Sequence, residues 1–263
     1  MPRLRLLLPL FLAGWLALAG ARAQALAAAP APRIERCTIA DEQGDFGLPT
    51  PYTHASGGMG YTLTSLIFDT LVWRDATGKL VPGLASAWRE SADHRTIEFT
   101  LRPDARWHDG KSVTAADVVF TFAYLRQHPH PLFDLGAIDN VDDLGKGRVR
   151  VRLKRVYAPF VAQLAGSVPI LPQHVYARLA DPQHIKQADI VGSGPYRLGA
   201  YDKAAGRYLF TANEQYYLGP PRVRSLLFLR MQPSLAVGAL KRGQVDMIRS
   251  LPAPLAAEVA RFA

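Results

Sequence analysis

The sequence holds a single cysteine, Cys37, among 263 residues. One thiol excludes an internal disulfide, so the fold must close without covalent staples, and Cys37 reads as a small buried residue at the start of a strand. The one extended apolar run covers residues 6–19, about 14 residues, short of the roughly 20 that a membrane-spanning helix needs. The seven histidines show no zincin spacing, and the pair His128 and His130 within "HPHP" sits in a proline-stiffened stretch rather than on a helix face. No G-x-S-x-G is formed at Gly192-Ser193-Gly194, so a nucleophile elbow is excluded there. The same stretch is too short, and lacks the lysine, for a phosphate loop. No internal repeat is present, and low complexity is confined to "ALAAAPAPR".

What is present begins with Met1-Pro2-Arg3-Leu4-Arg5, the apolar run, and Ala21-Arg22-Ala23. A basic head, a short apolar core and an A-x-A site predict a cleaved secretory signal over residues 1–23, a mature chain starting near Gln24, and a periplasmic location. The alanine- and proline-rich segment after it predicts a flexible N-terminus over 24–35. Removing residues 1–23 takes away three arginines and no acid, leaving 28 basic against 22 acidic residues, a charge of +6. The densest basic stretch, "RVRVRLKR" from Arg148, alternates with Val149, Val151 and Leu153 at the period of a strand with one wet face. That pattern argues for a solvated sheet face, and no nucleic-acid partner is expected.

The run "RTIEFTLRPDARWHDGKSVTAADVVFTF", residues 95–122, carries the most local structure. Ile97, Phe99 and Leu101 alternate with Glu98 and Thr100, a strand with one buried face. Pro103-Asp104 turns the chain, and Asp109-Gly110 turns it again, because glycine accepts positive φ without steric cost. Thr114 stands three residues before Asp117, the spacing of a capping box. A helix should follow, with Val118, Phe122 and Leu125 on one face. A structural turn therefore accounts for His108-Asp109. The other reading, in which these two residues serve a secreted hydrolase, needs a nucleophile brought from elsewhere. A basic surface-adhesion module would rest on charge alone.

Beyond this run, "LVWRDATGKLVPGLASAWRES" reads as a strand, an Asp-x-x-Gly turn and a Pro-Gly loop leading to a short segment that ends near Ser91. "GRVRVRLKRVYAPFVAQLAG" gives a strand and a short helix opening at Pro159. "PYRLGAYDKAAGRYLFTAN" gives two strands joined through a glycine-containing loop, "RVRSLLFLRM" a buried strand, and "SLAVGALKRGQVDMI" a helix closed by Gly243 before a strand. The class is α/β.

The ordered set "YTLTSLIFDTLVWRDATGKLVPG", "LASAWRESADHRTIEFTLRPDARWHDGKSVTAADVVF", "GSGPYRL", "TANEQYYLGPP" and "ALKRGQVDMI" resembles the family 5 extracellular solute-binding proteins. These serve importers of dipeptides, oligopeptides, nickel complexes and related solutes. The resemblance implies a periplasmic-binding-protein-like (class II) lobe built from residues 36–68 and 169–263, with an inserted α/β subdomain over 69–168 and the second lobe missing after Ala263. It implies a monomer that captures a peptide or similar small solute and delivers it to inner-membrane permease subunits, with no catalytic residues, cofactor or metal. A lone lobe offers one cleft wall, so weak solute binding by this chain alone is expected.

The resemblance also implies candidate ligand contacts. Met59 and Tyr61 belong to "SGGMGYTL", just ahead of the first helix, and His130, Leu132 and Phe133 lie in a subdomain loop. Gly194 and Tyr196 belong to a glycine-rich lead-in to a strand near the cleft. Where the nickel-binding branch carries an arginine, this chain reads "GSVPILPQ", with Val168 and Ile170, which weighs against a nickel chelate.

Overall fold

The computed structural model describes residues 32–54 and 59–262. The signal expected over 1–23, and residues 24–31 of the expected flexible segment, lie outside the described residues. Residues 33 and 34 of that segment make defined contacts. Arg33 donates to both carboxylate oxygens of Glu214 at 2.7 and 2.9 Å, and Ile34 bridges Val223 in parallel.

In chain order, β1 (Cys37–Asp41) leads to α1 (Gly60–Ile67), the hairpin β2 (Val72–Arg74) and β3 (Leu80–Pro82), then β4 (Ala85–Glu90) and β5 (Thr96–Leu101). After these come α2 (Ala115–Gln127), β6 (Ile138–Asp143), β7 (Arg148–Leu153) and α3 (Gln173–Tyr176). The remainder is β8 (Tyr196–Asp202), β9 (Arg207–Ala212), β10 (Ser225–Arg230), α4 (Pro233–Lys241), β11 (Met247–Ile248) and α5 (Ala253–Val259). Two sheets organise these elements. One has five strands in the order β11-β1-β10-β9-β8, the other four in the order β4-β5-β7-β6. In the first, β1 runs parallel to both β10 and β11. The second is antiparallel throughout.

The four-stranded sheet follows from the alternation in its sequence. Ile97, Phe99 and Leu101 turn inward with Val149, Val151 and Leu153 and pack on Val118, Phe122 and Phe160. At roughly 1.5–3 kcal/mol for each large apolar side chain fully buried, this face dominates the local stability. On the wet face Glu98 accepts from Arg89 on β4 and Arg150 on β7, both at 2.7 Å. Those arginine bonds hold its carboxyl below the ordinary range. The arginine row is thus a solvated sheet face laced with cross-strand ion pairs.

The predicted capping box forms: Asp117 Oδ2 accepts from the Thr114 amide at 2.9 Å and begins α2. The Trp107 to Gly110 bend is a tight turn, with the Gly110 amide donating to the Trp107 carbonyl at 2.9 Å and φ of 89° at Gly110. The short helix expected to open at Pro159 forms as a π-helical turn, Phe160–Ala165, while two burial expectations, for β10 and Cys37, are corrected. The turn buries Phe160, Val161, Leu164 and Ala165 together, so packing overrides local winding there. β10 is fully buried only at Phe228, because among the described residues nothing covers its leucines completely. Cys37 is only partly buried.

Candidate functional site

Five rings from separate stretches of the chain meet beside α1. Tyr52 and His54 come from the segment after β1, Tyr61 from the first turn of α1, and His130 and Phe133 from the loop after α2. His130 stacks on Phe133 with centroids 4.6 Å apart, meets Tyr52 edge-on at 5.6 Å, and lies nearly parallel to His54 at 6.1 Å. His54 faces Tyr61 edge-on at 6.3 Å. Proline on both sides of His130 stiffens this loop, and its ring is pinned at both nitrogens. Nε2 donates to the Pro51 carbonyl at 2.8 Å, and Nδ1 accepts from the Leu132 amide at 3.2 Å. Burial lowers the His130 pKa below the ordinary histidine value, which keeps this tautomer neutral.

The hydroxyls in this wall are turned to the backbone. Tyr61 donates to the Ser167 carbonyl at 2.8 Å and Tyr52 to the His128 carbonyl at 2.9 Å. Burial raises both phenols. His54 Nδ1 donates to the Thr50 carbonyl at 2.7 Å. Its other nitrogen, Nε2, is buried without a partner among the described residues. The wall is therefore aromatic, with no carboxylate, ammonium or guanidinium group among its five rings. Such a surface suits apolar or planar groups.

The remaining expected contacts divide. Leu132, about half exposed, lies at the rim of this wall. Met59, 8% exposed, precedes α1 and packs into the core of the five-stranded sheet. Gly194 and Tyr196 do not join the rings. A Cβ on Gly194 would meet the Leu66 carbonyl oxygen at 2.6 Å, and the Gly194 carbonyl already accepts from His108 and Asn213. Tyr196 is buried, with its hydroxyl donating to the Val223 carbonyl at 3.0 Å. Both residues build the framework, so neither presents a free group. Val168 and Ile170 are likewise fully buried core residues.

The geometry gives the hydrolase reading no support. His108 is buried and gives its Nε2 proton to Gly194, while Asp109 pairs with His174 at 2.7 Å and with Lys111 at 3.1 Å. The two neighbours on the turn thus serve different partners. His128 and His130 also diverge, since His128 packs on Tyr124 at 4.3 Å while His130 stacks on Phe133.

Tyr52 and His54 escaped the sequence reading. Their only local signal was two rings in "PYTHASGG" just ahead of the first helix. Asp69, a fully buried carboxyl in "FDT", gave no signal at all.

The arrangement of the two sheets is that of the periplasmic binding proteins. The oligopeptide-binding protein AppA of Bacillus subtilis superposes with a TM-score of 0.76 at 20% identity, over 88% of this chain and 47% of that one. Residues 79–262 match the family described as bacterial extracellular solute-binding proteins, family 5 Middle, and the chain belongs to this family. It is 33% identical to Protein XP55 of Streptomyces lividans over 193 residues, 72% of this chain and 35% of that protein. It is 29% identical to Di/tripeptide-binding protein 4 of Pseudomonas aeruginosa (strain UCBPP-PA14) over 268 residues, 91% of this chain and 48% of that protein. The chain thus spans about a third to a half of these relatives' length.

Proposed function

We propose that the protein is the solute-binding component of an ABC importer, active in the periplasm, taking up a peptide or a similarly sized solute and passing it to membrane permease subunits. One observation carries the reading to this chain: a ring wall assembled from two separate stretches, Tyr52, His54 and Tyr61 on one side and His130 and Phe133 on the other. A main lobe over residues 36–68 and 169–263, with 69–168 inserted, supplies these two stretches. Met59 is buried just ahead of α1, and Leu132, between His130 and Phe133 in the chain, is about half exposed. The wall holds no carboxylate, ammonium or guanidinium group, so the solute is held there by stacking and shape. Peptide-binding relatives such as Di/tripeptide-binding protein 4 support the solute class.

The test is mass spectrometry of small molecules released when the protein, purified from periplasm, is denatured. A peptide or similar solute should be released, and Tyr61→Ala with His130→Ala should lower its amount at least tenfold, the loss of about 1.4 kcal/mol of binding. Equal release from the double variant would remove this wall from the binding site.

A further inference from the structure

The 192–194 loop is gripped from two sides. On the side of the first crossing between the sheets, the Gly194 amide donates to the Ile67 carbonyl at 2.7 Å, and the Asp69 amide donates to Ser193 Oγ at 3.4 Å. From the 107–110 turn, the His108 amide donates to the Gly192 carbonyl at 2.7 Å. The His108 ring then adds two bonds to the same loop. Nε2 donates to the Gly194 carbonyl at 3.0 Å, and Nδ1 accepts from the Gly192 amide at 3.3 Å. Only a neutral ring fits this arrangement. A second ring proton would set N–H against N–H and leave the Gly192 amide buried without an acceptor.

We propose that this contact is a proton-operated latch: neutral His108 locks the 192–194 loop to the 107–110 turn, and a proton on Nδ1 releases it. The charges around the ring favour the neutral form on balance. Arg197 on β8 donates to the His108 carbonyl and places a cation beside it. On the turn itself Asp109 opposes that effect, but its carboxylate is engaged by Lys111 and by His174 of α3. Behind the loop, Asp69 reaches Ser193 through its backbone, not its carboxylate. Burial is the largest influence and brings the His108 pKa down to about 4.

An opened loop returns the ring to water and to its ordinary value of about 6.5. Protons therefore bind the opened form first, and opening is promoted as pH falls from 6.5 towards 4. Between pH 7 and pH 5 the opening equilibrium should rise about twentyfold. The latch depends on these junction contacts alone and stands whether or not the ring wall binds a solute.

The experiment is NMR-detected amide hydrogen exchange of Gly192 and Gly194 in the whole chain, corrected for intrinsic exchange. The expected result is about twentyfold more opening at pH 5 than at pH 7, not shared by the β5 core amides and absent in His108→Gln, which keeps a donor and an acceptor without titrating. Equal pH dependence in both proteins would overturn the latch. The His108 ring titrated in the folded wild type gives a second measurement, needed if the variant does not fold. A midpoint near 4 supports the latch, and one near 6.5 overturns it.

Discussion

A Cβ on Gly192 would stand 2.0 Å from the Ile67 carbonyl oxygen, and one on Gly194 2.6 Å from that of Leu66. These obstacles are backbone at the end of α1, which cannot swing aside as a flexible side chain would. Gly192→Ala or Gly194→Ala should therefore cost more than about 2 kcal/mol, measured by urea unfolding. Gly110 differs, because a Cβ there meets nothing within 4 Å and only its φ of 89° opposes a side chain. Gly110→Ala should cost about 1 kcal/mol. If the two classes of variant lost equal stability, close approach would not explain the loop glycines.

The start of α2 shows how one carboxylate joins local and distant structure. Asp117 Oδ2 accepts from the Thr114 amide at 2.9 Å and from its hydroxyl at 2.8 Å, while Oδ1 accepts from the Gln173 amide at 3.0 Å. Capping is local and worth about 1 kcal/mol. The Gln173 bond reaches across to the first residue of α3, and losing it strands an amide at roughly 1–3 kcal/mol. Asp117→Ala should thus destabilise by about 2–3 kcal/mol and Thr114→Val by about 1 kcal/mol, both measured by urea unfolding. Equal losses would show that the tie to α3 adds nothing. The box was legible because it is written over four consecutive residues, whereas the Gln173 partner, 56 positions away, was not.

At the scale of the molecule, Asp69 sits where the chain leaves α1 for β2, and its carbonyl accepts from the Ile170 amide where the chain comes back. The side chain is fully buried. Trp73 Nε1 and Tyr216 Oη donate to Oδ1 at 3.2 and 3.3 Å, and Oδ2 has no partner among the described residues. Burial raises this acid to about 7. The folded state keeps a proton that the unfolded chain releases near 4, so this contribution is complete below that pH and is lost as pH rises to 7. The stability of the wild type relative to Asp69→Asn should fall by about 4 kcal/mol between pH 4 and pH 7.5, read from urea unfolding of both proteins across that range. Parallel profiles for wild type and variant would refute it. His108 has the opposite sign, its folded pKa lying below the unfolded value. Its contribution is complete above pH 6.5 and is lost as pH falls towards 4, so the two groups offset each other between pH 4 and 6.5 in the wild type. The sequence by itself determined what depends on neighbours: the strands of period two such as β5 and β7, the turn at Gly110, the capped α2, and the order of motifs that marks the family. Only the tertiary structure decided which side chains meet, because burial and long-range bonds depend on how the sheets dock. That docking joined His130 to Tyr52 and His54, packed Gly194 and Tyr196 against distant backbone, and raised the pKa of the buried Asp69.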